Sequence, residues 1–357
     1  MEPDKMYRPE LLRLESPTDR KRYNELRNGE ALFVYDTVMH QLQELHKIRY
    51  PSVDVSTLDQ PHLIEQYLDG KDLTSYGVWV YYPWSRKLVH LVPDTEFYEL
   101  RTNRNQLKIS AQEQLVLKEK VIGIVGLSVG QSIALTMAME RVCGTLRLAD
   151  FDTVELSNLN RIRTGVHNLG LNKAIIAARE IAELDPFINV EVFSEGLHAH
   201  NMVDFLTAGG SLDLLIEVCD NMEVKLKSRV EARKCNMPVI METNDRGMLD
   251  IERFDLEPDR PLLHGFVDER DAENVGSMAN SERMNIVKKI VNAEMLSPRM
   301  KQSFAEIGKT LRSWPQLASS VVLGGGVVTD VSRKVLLGEH VKSGRYYFDI
   351  DQLLDGH

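Results

Sequence analysis

From residue 121 onward, short apolar runs alternate with helix-length segments whose apolar positions recur every three to four residues. Such alternation marks a parallel sheet covered by helices. The runs 121–125, 145–149, 190–193, 214–218 and 238–242 predict strands. Residues 132–141, 172–184 and 222–235 predict helices, the second of them stopped by Asp185-Pro186. Beyond Gly247, 248–254 reads as an antiparallel addition, 268–273 as an exposed acidic loop and 314–337 as a closing helix. Upstream, residues 31–50 carry Leu32, Val38, Leu42 and Leu45 at a spacing that suits a partly buried helix. The runs 78–82 and 88–92, joined by Pro83-Trp84-Ser85-Arg86, predict a hairpin. The expected class is α/β, a Rossmann-like, mostly parallel sheet with helices on both faces, preceded by a small α+β lobe. The expected division is a docking or scaffold lobe over 1–100, the sheet domain over 101–345 and a tail over 346–357.

Composition narrows the class of protein. The chain has 357 residues, 43% hydrophobic and 27% charged, which suits an ordinary globular protein of about two domains. A charge-free stretch, 313–329, holds Pro315, Gln316 and three consecutive glycines and falls short of the ~18 apolar residues of a membrane span. No membrane association is expected. The start, MEPDKMYRPE, lacks an apolar signal core, and Cys143, Cys219 and Cys235 form no CxxC pair. A cytoplasmic protein without disulfides follows as the expectation. With 43 basic against 53 acidic residues, a net charge of -10 argues against coating nucleic acid.

Candidate chemistry gathers at the carboxyl ends of the predicted strands. Gly126-Leu127-Ser128-Val129-Gly130 lies between the first strand and the first helix, where free N–H groups and the helix dipole favour an anion. A dinucleotide fingerprint would want glycine at Ser128 and Gln131 as well. The same residues spell G-x-S-x-G, which in a hydrolase presents a nucleophile, here Ser128, with His198, His200, His264 and His340 downstream. The next strand ends in Asp150-Phe151-Asp152, placing acids where ribose hydroxyls would be read. The run from Thr153 to Arg161 follows with Asn158, then Lys173 at a helix start, and a further strand ends in Cys219-Asp220-Asn221. Two cations and separated aspartates on adjacent strand ends suit a triphosphate bound with a metal ion. Arg161 and Lys173 would neutralise phosphate, Asp220 would hold Mg²⁺ and Asp150 would read the ribose.

In order and spacing these residues resemble the E1-like adenylating enzymes, the ThiF/MoeB/HesA type, which include the ubiquitin-activating enzymes and relatives in thiamin and molybdenum-cofactor biosynthesis. The likeness runs from about 102 to 338, and the block DFDTVELSNLNR at 150–161 is its most specific part. The resemblance implies ATP and Mg²⁺ as cofactors. Its nucleotide contacts would be Gly126, Ser128, Gly130, Asp150, Asp152, Asn158, Arg161 and Lys173, with Asp220 as metal ligand. Arg101-Thr102-Asn103-Arg104-Asn105-Gln106 is similar to the family's R-Y-x-R-Q segment. The resemblance therefore implies a homodimer in which Arg104 enters the partner's site and joins Arg161 and Lys173 as a catalytic cation. The chain departs from the family's G-x-G-G-x-G loop at Ser128, Val129 and Gln131. It also lacks the paired CxxC motifs of zinc-binding members, so no zinc and no thioester are expected. The implied reaction is adenylation of a carboxylate, on a peptide or small protein such as a ubiquitin-like carrier, with release of pyrophosphate. Two alternatives stand beside it: an NAD-dependent oxidoreductase using Gly126 and Asp150, and a non-catalytic family member that binds nucleotide or partner.

Overall fold

The computed structural model describes residues 3–29, 31–53 and 60–355, so Met1 and Glu2 of the polar start and the last two residues of the expected tail lie outside it. The described chain forms two compact units. The first comprises 1–114 with 182–187, and the second 115–181 with 188–357, so the division falls at 114/115 where 100/101 was expected.

The first unit contains β1 (Glu10–Leu12), α1 (Pro17–Asn28), β2 (Phe33–Asp36), α2 (Val38–Arg49), α3 (Gln60–Leu68), β3 (Val78–Tyr82), β4 (Lys87–Leu91) and α4 (Asp94–Thr102). The predicted hairpin is β3 and β4, and the four strands order as β1-β3-β4-β2. The single helix expected over 31–50 is two elements. Phe33-Val34-Tyr35 has strand-forming aromatic and β-branched residues and pairs in parallel with β4, and the helix begins only after Asp36. Val38, Leu42 and Leu45 do form its buried stripe, packed with Ile64, Leu68 and Val92. Helix α5 (Ala111–Lys118) straddles the division.

The second unit runs β5 (Val121–Val125), α6 (Gly130–Glu140), β6 (Thr145–Ala149), α7 (Lys173–Leu184), β7 (Asn189–Phe193), α8 (Met202–Thr207), β8 (Leu214–Glu217), α9 (Met222–Lys234), β9 (Val239–Thr243) and β10 (Met248–Glu252). It continues with α10 (Glu269–Asn274), α11 (Asn280–Ile290), α12 (Pro298–Glu306), α13 (Ala318–Leu336), β11 (Gly344–Tyr347) and α14 (Ile350–Asp355). Seven strands order as β11-β10-β9-β8-β5-β6-β7, parallel from β9 through β7 and antiparallel at β10 and β11. Order reverses beside β5, whose neighbours are β6 and β8, and open α/β sheets bind ligands at such a point. Side chains alternate across each strand: Leu215, Val239 and Met241 share a core with Phe205 of α8 and Leu226 of α9. On another side, α13 packs along α6 and β9.

Several expectations change here. Helix α8 was not expected, being only six residues, yet Met202, Phe205 and Leu206 are buried. The segment expected as an exposed loop over 268–273 is helix α10, capped reciprocally by Asp268 and Asp271, with Ala272 buried. The closing helix starts at Ala318 and not at Trp314, since Pro315 lacks the N–H of a helix interior. Its Gly324 and Gly325 permit close packing: a Cβ at Gly325 would stand 2.5 Å from Ser132 Oγ of α6. The expected tail over 346–357 begins inside β11, which pairs with β10, and continues as α14. Among the described residues no helix is long and apolar enough to cross a membrane.

Candidate functional site: the cleft at the sheet's reversal point

The carboxyl ends of β5, β6 and β8 open onto a cleft of about 730 Å³. Gly126, Ser128, Asp150, Asp152, Asn158, Arg161, Lys173 and Asp220 all line it. Their positions follow from local backbone needs. Gly126 leaves β5 with φ of 90°, and a Cβ there would lie 2.7 Å from Cys219 Cα. Only glycine lets the end of β5 pass the segment after β8 so closely. Asp150 then ties the loops together, its Oδ2 accepting from the Leu127 amide (2.6 Å) and its Oδ1 from the Asp152 amide (2.8 Å). Burial raises the Asp150 carboxyl above its ordinary value, and those two amides and Lys173 pull it back in part. Expected as a reader of ribose, Asp150 is thus already a brace, with lone pairs to spare for one further donor.

Lys173 is buried at the start of α7, and its Nζ donates to Asp152 Oδ2 at 2.7 Å. Arg161 Nε donates to Ser128 Oγ (3.0 Å), and its Nη1 to Asn160 Oδ1 (2.9 Å). Burial lowers the Arg161 pKa from its ordinary value while the nearby Asp220 carboxylate pulls it up. The guanidinium stays charged, as arginine does in proteins. Asp220 is exposed, just before Asn221, whose side chain caps α9 by accepting from the Val224 amide. Asn158 accepts from the Glu155 amide at 3.1 Å, so its oxygen closes its own 3₁₀ turn.

Gly130 and Arg104 lie outside this cleft, the second as expected of a residue assigned to a partner's site. Gly130 does not line the cleft; a Cβ there would meet Ile124 Cγ2 at 2.8 Å, so glycine serves the packing of α6 on β5. Arg104 is exposed on the 3₁₀ turn Asn103–Asn105 of the first unit and is not among the cleft residues. The departures from the family loop also find explanations. Gln131 is buried, donating to the Arg163 carbonyl and Glu180 and accepting from the Arg163 amide. It therefore fills no space in the cleft. Ser128 meets Arg161 and not a histidine, and no histidine is among the described residues lining the cleft, which leaves the hydrolase reading without a base.

Sequence reading missed Asn172, Arg312 and Ser313. Arg312 and Ser313 reach the cleft from a loop remote in sequence and carry no local signal. Asn172 had one, since Asn before an amphipathic helix is a cap. Its Oδ1 accepts from the Ala174 and Ile175 amides, and its Nδ2 donates to the carbonyls of Asp150 (2.9 Å) and Ser194 (3.1 Å). Replacing Asn172 by alanine should cost about 1 kcal/mol for the cap alone, with more from the loosened Asp150 loop. A urea melt checks this, and a midpoint equal to that of the wild type would contradict the bracing role.

Among the described residues no group of three or more His, Cys, Asp or Glu side chains gathers to hold an ion alone. Mg²⁺ commonly binds through one or two carboxylates plus substrate phosphates and waters, so Asp220 in this cleft fits it. Cys219 lines the same cleft, and burial, then Glu217, pushes its thiol well above the ordinary value.

An uncharacterized protein of Mycobacterium tuberculosis (strain CDC 1551 / Oshkosh), MT1398, is 43% identical over 277 residues, 78% of this chain and 38% of its own length. The chain thus spans less than two fifths of that relative. The molybdopterin-synthase adenylyltransferase of Haemophilus influenzae is 28% identical over 169 residues, 46% of this chain and 67% of that protein. Among solved structures, the E. coli tRNA N6-threonylcarbamoyladenosine dehydratase TcdA in complex with AMP superposes with a TM-score of 0.50 at 18% identity. That match covers 69% of this chain and 96% of the other, and speaks to the fold alone. The ThiF family profile matches residues 102–344, which take in β5 through β10 of the second sheet and the whole cleft. The chain belongs to the ThiF family, within the E1-like superfamily.

Proposed function

We propose that the chain uses ATP to adenylate a substrate carboxylate, giving an acyl-adenylate and pyrophosphate. The observation that carries this reading is the gathering of Arg161, Lys173, Asp150 and Asp220 around one cleft at the strand ends. Carboxylate oxygen attacks the α-phosphorus, and pyrophosphate leaves with the electron pair. Catalysis of this kind needs position and fixed positive charge more than a protein nucleophile. Lys173, held by Asp152, and Arg161, held by Ser128, are pre-oriented cations for the phosphates. Mg²⁺ held at Asp220 would supply further charge neutralisation. Asp150 and the backbone at Gly126 would take the nucleoside end. The raised Cys219 thiol favours a route with no thioester, and no zinc is part of the reading.

The H. influenzae relative is by name an adenylyltransferase, which supports the reaction class. We assign the carboxylate to a peptide or small protein, with the first unit as its docking lobe. A cytoplasmic homodimer completed by Arg104 of each partner belongs to the same reading. NAD-dependent chemistry is disfavoured by the family match across the cleft, and a purely non-catalytic member by the retention of Arg161, Lys173 and Asp220 together.

Thermal unfolding with Mg-ATP against NAD tests this. A ligand at about 100 times its Kd adds ~2.7 kcal/mol to stability, so Mg-ATP should raise the midpoint visibly and NAD should not. Stabilisation by NAD alone would replace the reading with the oxidoreductase; no shift with either would favour the non-catalytic member.

A further inference from the structure

A second chamber, of about 180 Å³, shares Val218, Cys219 and Asp220 with the nucleotide cleft. Roughly 150 Å³ is enough for a benzene-sized guest. Its walls are mostly apolar, with Met222, Met241, Ile290, Leu296 and Trp314 among them. Glu242 of β9 stands in this wall, 4% exposed, and neither carboxyl oxygen has a hydrogen-bond partner. Nor do Asn244 Oδ1 and Gln316 Oε1, which line the same chamber. All of these are acceptors. An amide can flip to offer its nitrogen, but an ionised carboxylate has only acceptors to offer. The other buried or half-buried ionisable groups in the wall are engaged: Lys225 Nζ with Glu217 (2.7 Å), Asp245 with the Ser297 hydroxyl (2.6 Å) and the Cys219 thiol with the Asn221 carbonyl (3.6 Å). Gly324 preserves the arrangement, since a Cβ there would come within 2.7 Å of Glu242 Cδ. A buried carboxyl without donors is costly, and burial alone lifts Glu242 to about 8.

We infer that this chamber binds a primary amine with an apolar body, the co-substrate that accepts the acyl group activated in the neighbouring cleft. The ammonium supplies up to three donors to an acceptor-lined end, and the apolar walls take the rest. The amine's use rests on the adenylation reading, whereas its binding does not. In the transfer, the bound ammonium first gives one proton to the Glu242 carboxylate, and the free amine nitrogen attacks the acyl carbon. A C–N bond forms, the C–O bond to phosphate breaks, AMP departs with that electron pair, and the nitrogen's second, surplus proton leaves on the departing AMP phosphate. The product is an amide.

Calorimetry of the full chain with n-hexylamine, 1-hexanol and hexanoate tests the assignment. At about pH 9, where Glu242 is ionised and an alkylamine is still protonated, saturable binding of hexylamine is expected, with hexanol at least about tenfold weaker and hexanoate not binding, since its charge repeats that of Glu242. Glu242→Gln should abolish the preference for amine over alcohol, and Val291→Phe, which intrudes on the chamber and leaves the carboxyl in place, should weaken the amine and the alcohol alike. If hexylamine fails to saturate the wild type, or hexanol or hexanoate binds as well, the inference is overturned. Undiminished amine preference in a folded Glu242→Gln overturns it too. Should Glu242→Gln not fold, Val291→Phe decides alone: unchanged amine binding there overturns the inference. Mg-ATP stabilisation of the wild type is read in parallel. Amine binding without it retains the chamber and removes adenylation; the reverse retains adenylation and removes the chamber.

Discussion

Replacing Arg229 by methionine should destabilise the protein by about 3–5 kcal/mol, the usual consequence of removing one member of a buried ion pair. Arg229 is fully buried, and it donates from Nη1 to Glu217 (2.6 Å) and from Nε to Glu252 (2.7 Å), both themselves fully buried. Methionine matches much of the volume but leaves Glu252 with only the Leu263 amide (2.6 Å) and Glu217 with only Lys225 and the Cys219 amide. Urea denaturation of the variant checks the figure, and a loss under about 1 kcal/mol would mean that the network contributes little.

The pH response of the wild type has a definite sign. Burial raises the Glu217 carboxyl, but Lys225 and Arg229 outweigh it and hold the group at about 2. A carboxyl with a depressed folded pKa contributes stability in full above its unfolded value, and loses it as pH falls toward the folded one. Glu217 therefore stabilises the wild type above about pH 4.5 and ceases to do so toward pH 2. In the methionine variant this acid-side loss should shrink, since a cation that depresses Glu217 has gone.

Alanine at Lys173 should lower adenylation about 10²-fold or more, and alanine at Arg161 likewise, by analogy with losing one preorganised charge-stabilising donor. Pyrophosphate release with a library of peptides as carboxylate source measures it. The two variants differ in what they leave behind. Lys173→Ala frees Asp152, an acid lining the cleft, whereas Arg161→Ala frees the neutral side chains of Ser128 and Asn160. The lysine variant should therefore also bind Mg-ATP more weakly, and Lys173→Ala with Asp152→Asn should recover part of that binding. Mixing Arg104→Ala with Lys173→Ala protomers tests action in trans. Random pairing rebuilds one intact site in half the dimers, so about a quarter of wild-type activity should return. Equal, full activity in all of these variants would remove the cations from the mechanism.

The alternation of apolar runs was enough to place every parallel strand from β5 to β9, because each is a short apolar run set between helices, buried almost throughout in all but β7 at the sheet's edge. The cleft was legible for the same reason: residues that follow such strands must emerge at one edge, so Gly126, Asp150 and Cys219-Asp220 converge whatever their sequence separation. Partnership was not legible. Nothing in the sequence says that Asp150 spends its oxygens on the Leu127 and Asp152 amides, or that Gln131 turns to Arg163 and Glu180. Gly130 looked like a phosphate residue because packing and ligand approach demand the same missing Cβ. The β2 strand was hidden by a helix pattern that starts two residues after it. Short helices such as α8 and α10 give too few turns for a periodicity to register.

The strand order has a consequence for a chain emerging from the ribosome. Strands β5, β6 and β7 are adjacent and complete by Phe193, so this half of the sheet can form while later residues are still being made. The other edge of β5 stays unpaired until Leu214–Glu217 appears, about one to a few seconds later at 5–20 residues per second. During that interval Ile122 and Ile124, later wholly buried, border an open edge able to recruit a neighbouring nascent strand. Synthesis therefore leaves the cleft half-built for longest at its own centre, and a slowed stretch of translation between residues 194 and 214 would lengthen the window for misassembly.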